Sequence, residues 1–327
     1  MSGLYPLKFK PIFHERIWGG NKVKSIFNKD FGNILNCGES WEISAVEGFV
    51  SEAANGFLAG NDLNELVEIY MGDLVGEKVY QKYGNEFPLL LKFIDAACDL
   101  SVQVHPNDKI AEERHNAYGK SEMWYIINAE DGSLINPGFN QPVTKEKFVD
   151  YFSRGRLMDL LQFDTVLPGD VYFVPAGQVH SIGKGVLLAE IQQTSDVSYR
   201  IYDFDRKDAK GNKRELHAGW AVDAINYDFK EDYKTHFTVQ KNSSTELVRC
   251  DYFTTNILEF DKEIDKDYTQ IDSFVIYMNL EGDFLINYEN GSELVKKGET
   301  ILIPASLEAF RLIPVSGEVK TLEVYIK

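Results

Sequence analysis

The stretch SVQVHP (101–106) sets Gln103 and His105 two positions apart, with Val102 and Val104 alternating with them. In an extended strand alternate side chains share a face, so Gln103 and His105 point one way and the valines the other. An amide oxygen beside an imidazole nitrogen is half of a metal site; on an ordinary half-buried strand the same pair is two polar groups facing water. A second stretch bears on the choice. PGDVYFVPAGQVH (168–180) carries the spacing G-x5-P-x-G-x2-H from Gly169 to His180, and it aligns without gaps on KGETILIPASLEA (297–309). Gly169 falls on Gly298, Pro175 on Pro304 and Ala176 on Ala305. In each copy the glycine makes a turn, an apolar strand follows, and proline ends the ladder because it has no N–H to donate. Where the first copy has His180 the second has Ala309. The repeat persists without the histidine, so strand and turn do not need it, and chemistry is the better account of its presence.

The first copy has the spacing of the second motif of the cupin superfamily, small jelly-roll barrels whose metal ligands point inward. The first cupin motif supplies an H-x-H pair and then a glutamate; here Gln103-x-His105 stands for the pair and Glu122, in EMWYIINA (122–129), for the glutamate. Two imidazoles, one carboxylate and one amide oxygen suit Zn²⁺ with a position open to water or substrate. Singly each is a polar residue on a barrel wall, but four at matching spacing point to a shared ion.

Other residues flank this set. Lys120 lies two positions before Glu122, so a strand that starts early enough turns both inward. Lys92 interrupts PLLLKFID, where a lone ammonium is costly unless an anion meets it; at a strand edge it could instead snorkel to water. Glu190 and Arg200 lie on segments that can form a hairpin with its turn at Gln193–Asp196. Asp196 and Arg200 are otherwise turn and surface residues, although the neighbours of Arg200 in VSYRIYDF are good strand formers.

These side chains require strands to carry them, and most of the chain reads that way. Segments 87–96, 122–129, 170–176, 185–192 and 284–289 are rich in leucine, β-branched or aromatic residues and are bounded by Gly, Asn, Asp or Pro. Two regions have helical spacing. In NDLNELVEIYMGDLVG (61–76), Asp62 precedes Glu65 by three as in a capping box. The second, 144–163, is expected to bend at Gly155. The expected fold is therefore mainly β, two related jelly-roll barrels with a small α-helical insert. A chain of 327 residues has room for two domains. Its net charge of −17 argues against nucleic acid or an anionic membrane as partner, and demands local cations wherever an anion binds. No stretch is long and apolar enough to span a bilayer, and MSGLYPLKFKPIF has no secretory apolar region. Cys37, Cys98 and Cys250 are odd in number and far apart, so a disulfide framework is not expected and a cytoplasmic location is.

The motifs RIWGG (16–20), GESWEIS (38–44), SVQVHPND (101–108), KSEMWYI (120–126) and VPAGQVHSIGKGVLLAEIQQTSDVSYRIYDFDR (174–206) together resemble the type I mannose-6-phosphate isomerases. Within that family the likeness is to the short bacterial form with a reduced helical domain. It runs from about residue 13 to 220, and the last hundred residues match only as a degenerate second cupin domain. The resemblance implies a catalytic cupin domain over 1–240, with helical segments near 61–83 and 144–163, and a domain over 241–327 without metal ligands. It implies an aldose–ketose isomerase that interconverts mannose 6-phosphate and fructose 6-phosphate through a cis-enediol. One Zn²⁺ per chain would be held by Gln103, His105, Glu122 and His180. Arg200 corresponds to the family's active-site arginine and Lys120 to the lysine before the ligand glutamate, while Glu190 and Asp196 stand at acidic positions of the wall. Trp18, Lys92 and Ser101 correspond to residues lining the sugar-phosphate pocket, Lys92 and Ser101 against the phosphate. Ile182 stands where some members carry a tyrosine. The general base is left open among Lys120, Asp196, Glu190 and a zinc-bound water, and the oligomeric state is also open. Two other readings share the donor set: an iron-dependent cupin oxygenase, and a sugar-binding bicupin without catalysis. The glutamine ligand and the EIQQTSDVSYR segment argue against the first, and the intact motif set beside a degenerate copy argues against the second.

Overall fold

Continuous apolar strands such as LLLKFIDA and VLLAEIQQ must be covered on both faces, and the computed structural model, which describes residues 3–207, 211–315 and 317–327, shows what covers them. Leu89–Ala96 and Val186–Gln193 are buried along their whole length and lie side by side in a six-stranded antiparallel sheet. Its strand order is Val171–Val174, Glu122–Ala129, Val186–Gln193, Leu89–Ala96, Ile12–Gly20 and Cys37–Ile43. On one face, Leu187, Ala189, Ile191, Leu91, Phe93, Met123 and Tyr125 join a core shared with the helical insert and the second barrel. On the other, Val186, Leu188, Ile94, Trp124 and Ile126 line the inside of the first barrel. Lys92, Glu122 and Glu190 alternate in phase with this second set, so the pleat aims all three inward.

Smaller sheets complete the first barrel: Val102–Val104 pairs with Tyr199–Tyr202, and Leu134–Asn136 lies between Asp164–Thr165 and Ser181–Ile182. The second barrel has its own six-stranded sheet, with Leu7–Lys8 from the N-terminal region on its edge, and a four-stranded sheet of Ile264–Asp267, Ala309–Pro314, Phe284–Tyr288 and Gly291–Val295. The fold is thus mainly β, two cupin barrels with a helical insert. Among the described residues no helix is long and apolar enough to cross a membrane.

The internal repeat is realised strand for strand. Gly169 and Gly298 both adopt positive φ, 95° and 81°, which glycine takes without a Cβ clash. The strands after them, Val171–Val174 and Thr300–Ile303, pair with Glu122–Ala129 and Val275–Glu281. Val174 faces Glu122, whereas the repeat-equivalent Ile303 faces Val275. One strand further, Trp124 pairs with Glu190 as Tyr277 pairs with Glu323.

The capping box forms: Asp62 accepts from Glu65 N–H while the Glu65 carboxylate accepts from Asp62 N–H, and the helix Leu63–Val75 follows, kinked at Met71. Helix Lys145–Ser153 ends before Gly155, and a 3₁₀ turn covers Leu157–Leu160. Helices Lys22–Phe27, Asp108–His115 and Ala218–Ala224 were not expected from the sequence. The hairpin between the Glu190 and Arg200 segments does not form. After Gln193 the chain crosses to the opposite sheet, Gln192 Nε2 donating to the Gln193 and Ser195 carbonyls at the corner, and Arg200 pairs with Gln103 instead.

Candidate active site

Gln103 and His105 sit on and just beyond the short strand Val102–Val104, with both valines buried behind them. Glu122 opens Glu122–Ala129 in the six-stranded sheet opposite, and His180 lies opposite Gln103 through a two-way backbone bridge. One ring nitrogen of each histidine is already engaged. His105 Nδ1 lies 3.1 Å from Val197 O and His180 Nδ1 2.8 Å from Gln178 O, so each donates there and keeps an unprotonated Nε2. Those Nε2 atoms lie 3.4 and 3.5 Å from the two oxygens of Glu122. The ligand atoms of His105, Glu122 and His180 are all within 4.8 Å of one another and buried; no second such cluster occurs among the described residues. The Gln103 amide lies against the same ring, its Nε2 3.3 Å from His180 Nε2, and a half-turn presents Oε1 there.

A fully buried carboxylate normally has hydrogen bonds, yet neither Glu122 oxygen accepts a well-directed one. Burial opposes its ionisation, but Lys120, 2.9 Å from Oε2, and His105 hold its pKa well below the ordinary value. Burial and the Lys120 charge together lower His105 to about 3, so its imidazole is neutral. Neutral nitrogens, an ionised carboxylate and an amide oxygen are a donor set that fits a divalent cation.

A second tier of charge surrounds this set. Glu190 Oε2 accepts from Trp124 Nε1 at 2.9 Å, while Oε1 has no hydrogen bond and lies 3.4 Å from Lys92 Nζ and 3.8 Å from Lys120 Nζ. Burial and the Glu122 charge raise its pKa. Lys120 is the opposite case: burial would lower it, but Glu122 and Glu190 outweigh burial and raise it, so it carries a proton. Although Lys120 precedes the strand rather than extending it, its ammonium reaches both Glu122 and His105 Nε2, the latter at 3.2 Å. Lys92 is not at a strand edge. It is mid-strand, buried, over the Trp41 ring at 4.9 Å and 3.7 Å from Glu39 Oε2. Burial alone would raise the Glu39 pKa; Lys92 and Arg16 bring it down to about 2.

A cavity of about 340 Å³ opens beside these groups, lined by Trp18, Lys92, Ser101, Gln103, Lys120, Glu190, Asp196 and Arg200. Every site residue expected from the sequence therefore either lines this cavity or belongs to the adjoining His105–Glu122–His180 cluster. Larger surface grooves occur elsewhere, including one of about 670 Å³ beside the Met71 kink, but without such a cluster. Ile182 lines the cavity with an apolar side chain. Sequence reasoning missed Arg16, Glu39, Trp41 and Arg214, which also line it. For Glu39 and Trp41 a signal was present, since their spacing in GESWEIS puts both on one face of a strand; what was invisible was that Trp41 would pair with Lys92 across the ladder. Arg214 comes from a segment without strand pattern, held by Asp203 at 2.6 and 2.7 Å.

A family model for phosphomannose isomerase type I, catalytic domain, matches residues 6–132, and one for mannose-6-phosphate isomerase, cupin domain, matches residues 243–326. The mannose-6-phosphate isomerase ManA of Bacillus subtilis is 38% identical over 313 residues, 94% of this chain and 95% of that protein. A mannose-6-phosphate isomerase of Streptococcus mutans is 33% identical over 307 residues, 94% of each chain. The crystal structure of the mannose 6-phosphate isomerase from Bacillus subtilis matches with a TM-score of 0.88 at 33% identity, covering 99% of this chain and 100% of that one. A mutant phosphomannose isomerase from Salmonella typhimurium, at 17% identity and a TM-score of 0.81, shares the fold. With relatedness of this extent along nearly the whole chain, and a buried cluster able to hold a metal, the protein belongs to the type I mannose-6-phosphate isomerase family and is an isomerase.

Proposed function

We propose that this chain interconverts D-mannose 6-phosphate and D-fructose 6-phosphate by proton transfer through a cis-enediol, with one Zn²⁺ held by Gln103, His105, Glu122 and His180. The observation that carries the metal reading is the tautomer lock: both Nδ1 atoms are taken by main-chain carbonyls, and both Nε2 lone pairs converge on one buried carboxylate whose sole other ion-pair partner among the described residues is the Lys120 ammonium. When bound, the ion supplies a Lewis acid that stabilises negative charge growing on the sugar oxygens. Local charge also leaves room for such an ion. The buried Glu122 and Glu190 are balanced by Lys92 and Lys120, and Glu39 by Arg16, so a divalent cation would leave the site positive, which suits an anionic sugar phosphate.

The chain's own groups divide the remaining work. Lys120, held protonated, offers a fixed positive donor to an oxygen acquiring charge. Glu190 is the proposed general base: its Oε1 is free of hydrogen bonds, it faces the cavity, and its raised pKa moves it toward the working range of a proton acceptor. Asp196 shares that wall. Arg200 lines the cavity and is the proposed guanidinium donor to a substrate oxygen. Trp18 gives an apolar wall for the sugar, and Lys92 with Ser101 is the proposed phosphate contact, binding energy remote from the reacting carbons that can orient them. Free thiols at Cys37, Cys98 and Cys250 support a reducing, cytoplasmic setting.

The test joins metal analysis to turnover on one sample. The purified chain is expected to carry about one zinc, to lose interconversion of the two hexose phosphates on chelation, and to regain it with Zn²⁺. In D₂O the product is expected to gain deuterium on carbon. Full turnover by a metal-free preparation would remove zinc from the reading, and product free of solvent deuterium would count against the enediol.

A further inference from the structure

We infer that His217 is a positioning residue for Arg200, holding its backbone and, with Glu215, its guanidinium where the cavity needs them. The inference rests on the reading that Arg200 serves the reaction, and deepens it by assigning what fixes that arginine. Tyr199–Tyr202 is paired on one edge only, with Val102–Val104. Across that pair the Gln103 N–H and carbonyl turn away to His180, so they do not satisfy Arg200. Both main-chain groups of Arg200 go instead to His217. Arg200 N–H donates to His217 Nδ1 at 3.1 Å, and His217 N–H donates to Arg200 O at 2.7 Å. The imidazole stands where the carbonyl of a further strand would be and closes the edge as that strand would.

The same segment holds the side chain. Arg200 Nη1 donates to Glu215 O at 2.8 Å, while its buried Nε has no partner. The ring of His217 is itself fixed: it stacks on Trp220 with centroids 5.9 Å apart and planes at 10°, and Trp220 packs on Tyr199 and His115. His115 in turn meets the Tyr199 hydroxyl at 2.8 Å. Because Nδ1 accepts, the ring is neutral with its proton on Nε2; burial and the Arg200 charge lower its pKa and favour that form. Helix Ala218–Ala224 begins directly after His217, so the imidazole ties the arginine to a rigid element rather than to a loop.

The test compares His217→Leu, His217→Asn, Arg200→Ala and the double variant Arg200→Ala/His217→Leu in the zinc-loaded full chain. A misplaced transition-state group costs up to about 100-fold, so His217→Leu is expected to lower kcat by about 10- to 100-fold, with KM within about threefold. Metal content and Tm should stay at the parent values. Asparagine carries an acceptor oxygen near the Nδ1 position, and His217→Asn is expected to recover kcat to within about fivefold. On the Arg200→Ala background, His217→Leu is expected to change kcat by less than about twofold, because its effect passes through the arginine. Parent turnover in His217→Leu beside a large loss in Arg200→Ala would overturn the inference alone, as would equal damage in the Leu and Asn variants with a lowered Tm. Parent turnover in Arg200→Ala would instead overturn the role of Arg200 itself.

Discussion

Glu122 and Glu190 are both fully buried glutamates a few ångströms from the same ammonium, yet their proton affinities move in opposite directions. Glu122 has Lys120 at 2.9 Å and two histidines; Glu190 has the same ammonium at 3.8 Å and suffers the Glu122 charge. Such a split suits the different tasks proposed for the two carboxylates, ligand and proton carrier. Glu190→Gln is accordingly expected to keep its zinc and to lose about 10²–10⁴ in kcat. A base must be deprotonated, so parent turnover should fall as pH drops through the raised Glu190 pKa, above the ordinary 4.5; a kcat–pH profile in which Glu190→Gln retains that acid limb would move the role elsewhere. Glu39 gives the opposite sign. Its pKa is depressed from 4.5 to about 2, so its contribution to stability is present above 4.5 and is lost as pH falls toward 2. Thermal melts of Glu39→Gln should be flatter than the parent's across that window.

At the level of elements, the two repeat glycines have the same backbone but different surroundings. A Cβ on Gly169 would have no neighbour closer than the Tyr125 hydroxyl at 4.0 Å, whereas one on Gly298 would come within 2.5 Å of Phe27 Cβ. Left-handed strain of about 1–2 kcal/mol applies to both; crowding adds about 1–3 kcal/mol at Gly298 alone. Denaturant melts should rank Gly298→Ala below Gly169→Ala, and equal losses would show that Phe27 yields. Element types with strong local codes were legible: the Asp62–Glu65 capping box, the break at Gly155, and the strands closed by Pro175 and Pro304. Helix Asp108–His115 was not, because DKIAEERH buries only Ala111 and has scarcely an apolar face to read. Nor was the partner of Arg200, since a strand pattern states which face is buried and not which edge will be met.

Across the whole molecule, the second barrel keeps the first one's plan with different contents. By ladder position Glu190 corresponds to Glu323, and its neighbour Lys92 to Asn256. Val275 and Ala309 stand where the first barrel has Glu122 and His180. Glu323 is paired with Lys266 and accepts from Tyr268, Tyr277 and Asn256, so its charge is satisfied within the protein. Lys266→Met should strand that carboxylate at a cost of about 3–5 kcal/mol, read as a lowered Tm with unchanged zinc content. An unchanged Tm would mean that Glu323 is protonated or reached by water. The barrels also meet near the site: Tyr252 donates to Asp108 at 2.6 Å, Gln193 joins Asp108 to the Ser121 N–H, and Ser121 lies between Lys120 and Glu122.

By itself the sequence determined the barrel repeat and the replacement of His180 by Ala309 in its second copy, and it singled out Gln103, His105, Glu122 and His180 as candidate ligands, because turn chemistry, pleat alternation and motif spacing are local and survive in one dimension. Only the tertiary structure decided which edge of the Arg200 strand is met by His217, that Lys92 is enclosed by Glu39, Trp41 and Glu190, and that burial and neighbouring charge move the pKa values of Glu122 and Glu190 in opposite directions. Those outcomes depend on distances between segments far apart in the chain. Coulomb attraction and burial act through space, and a spacing pattern carries no record of either.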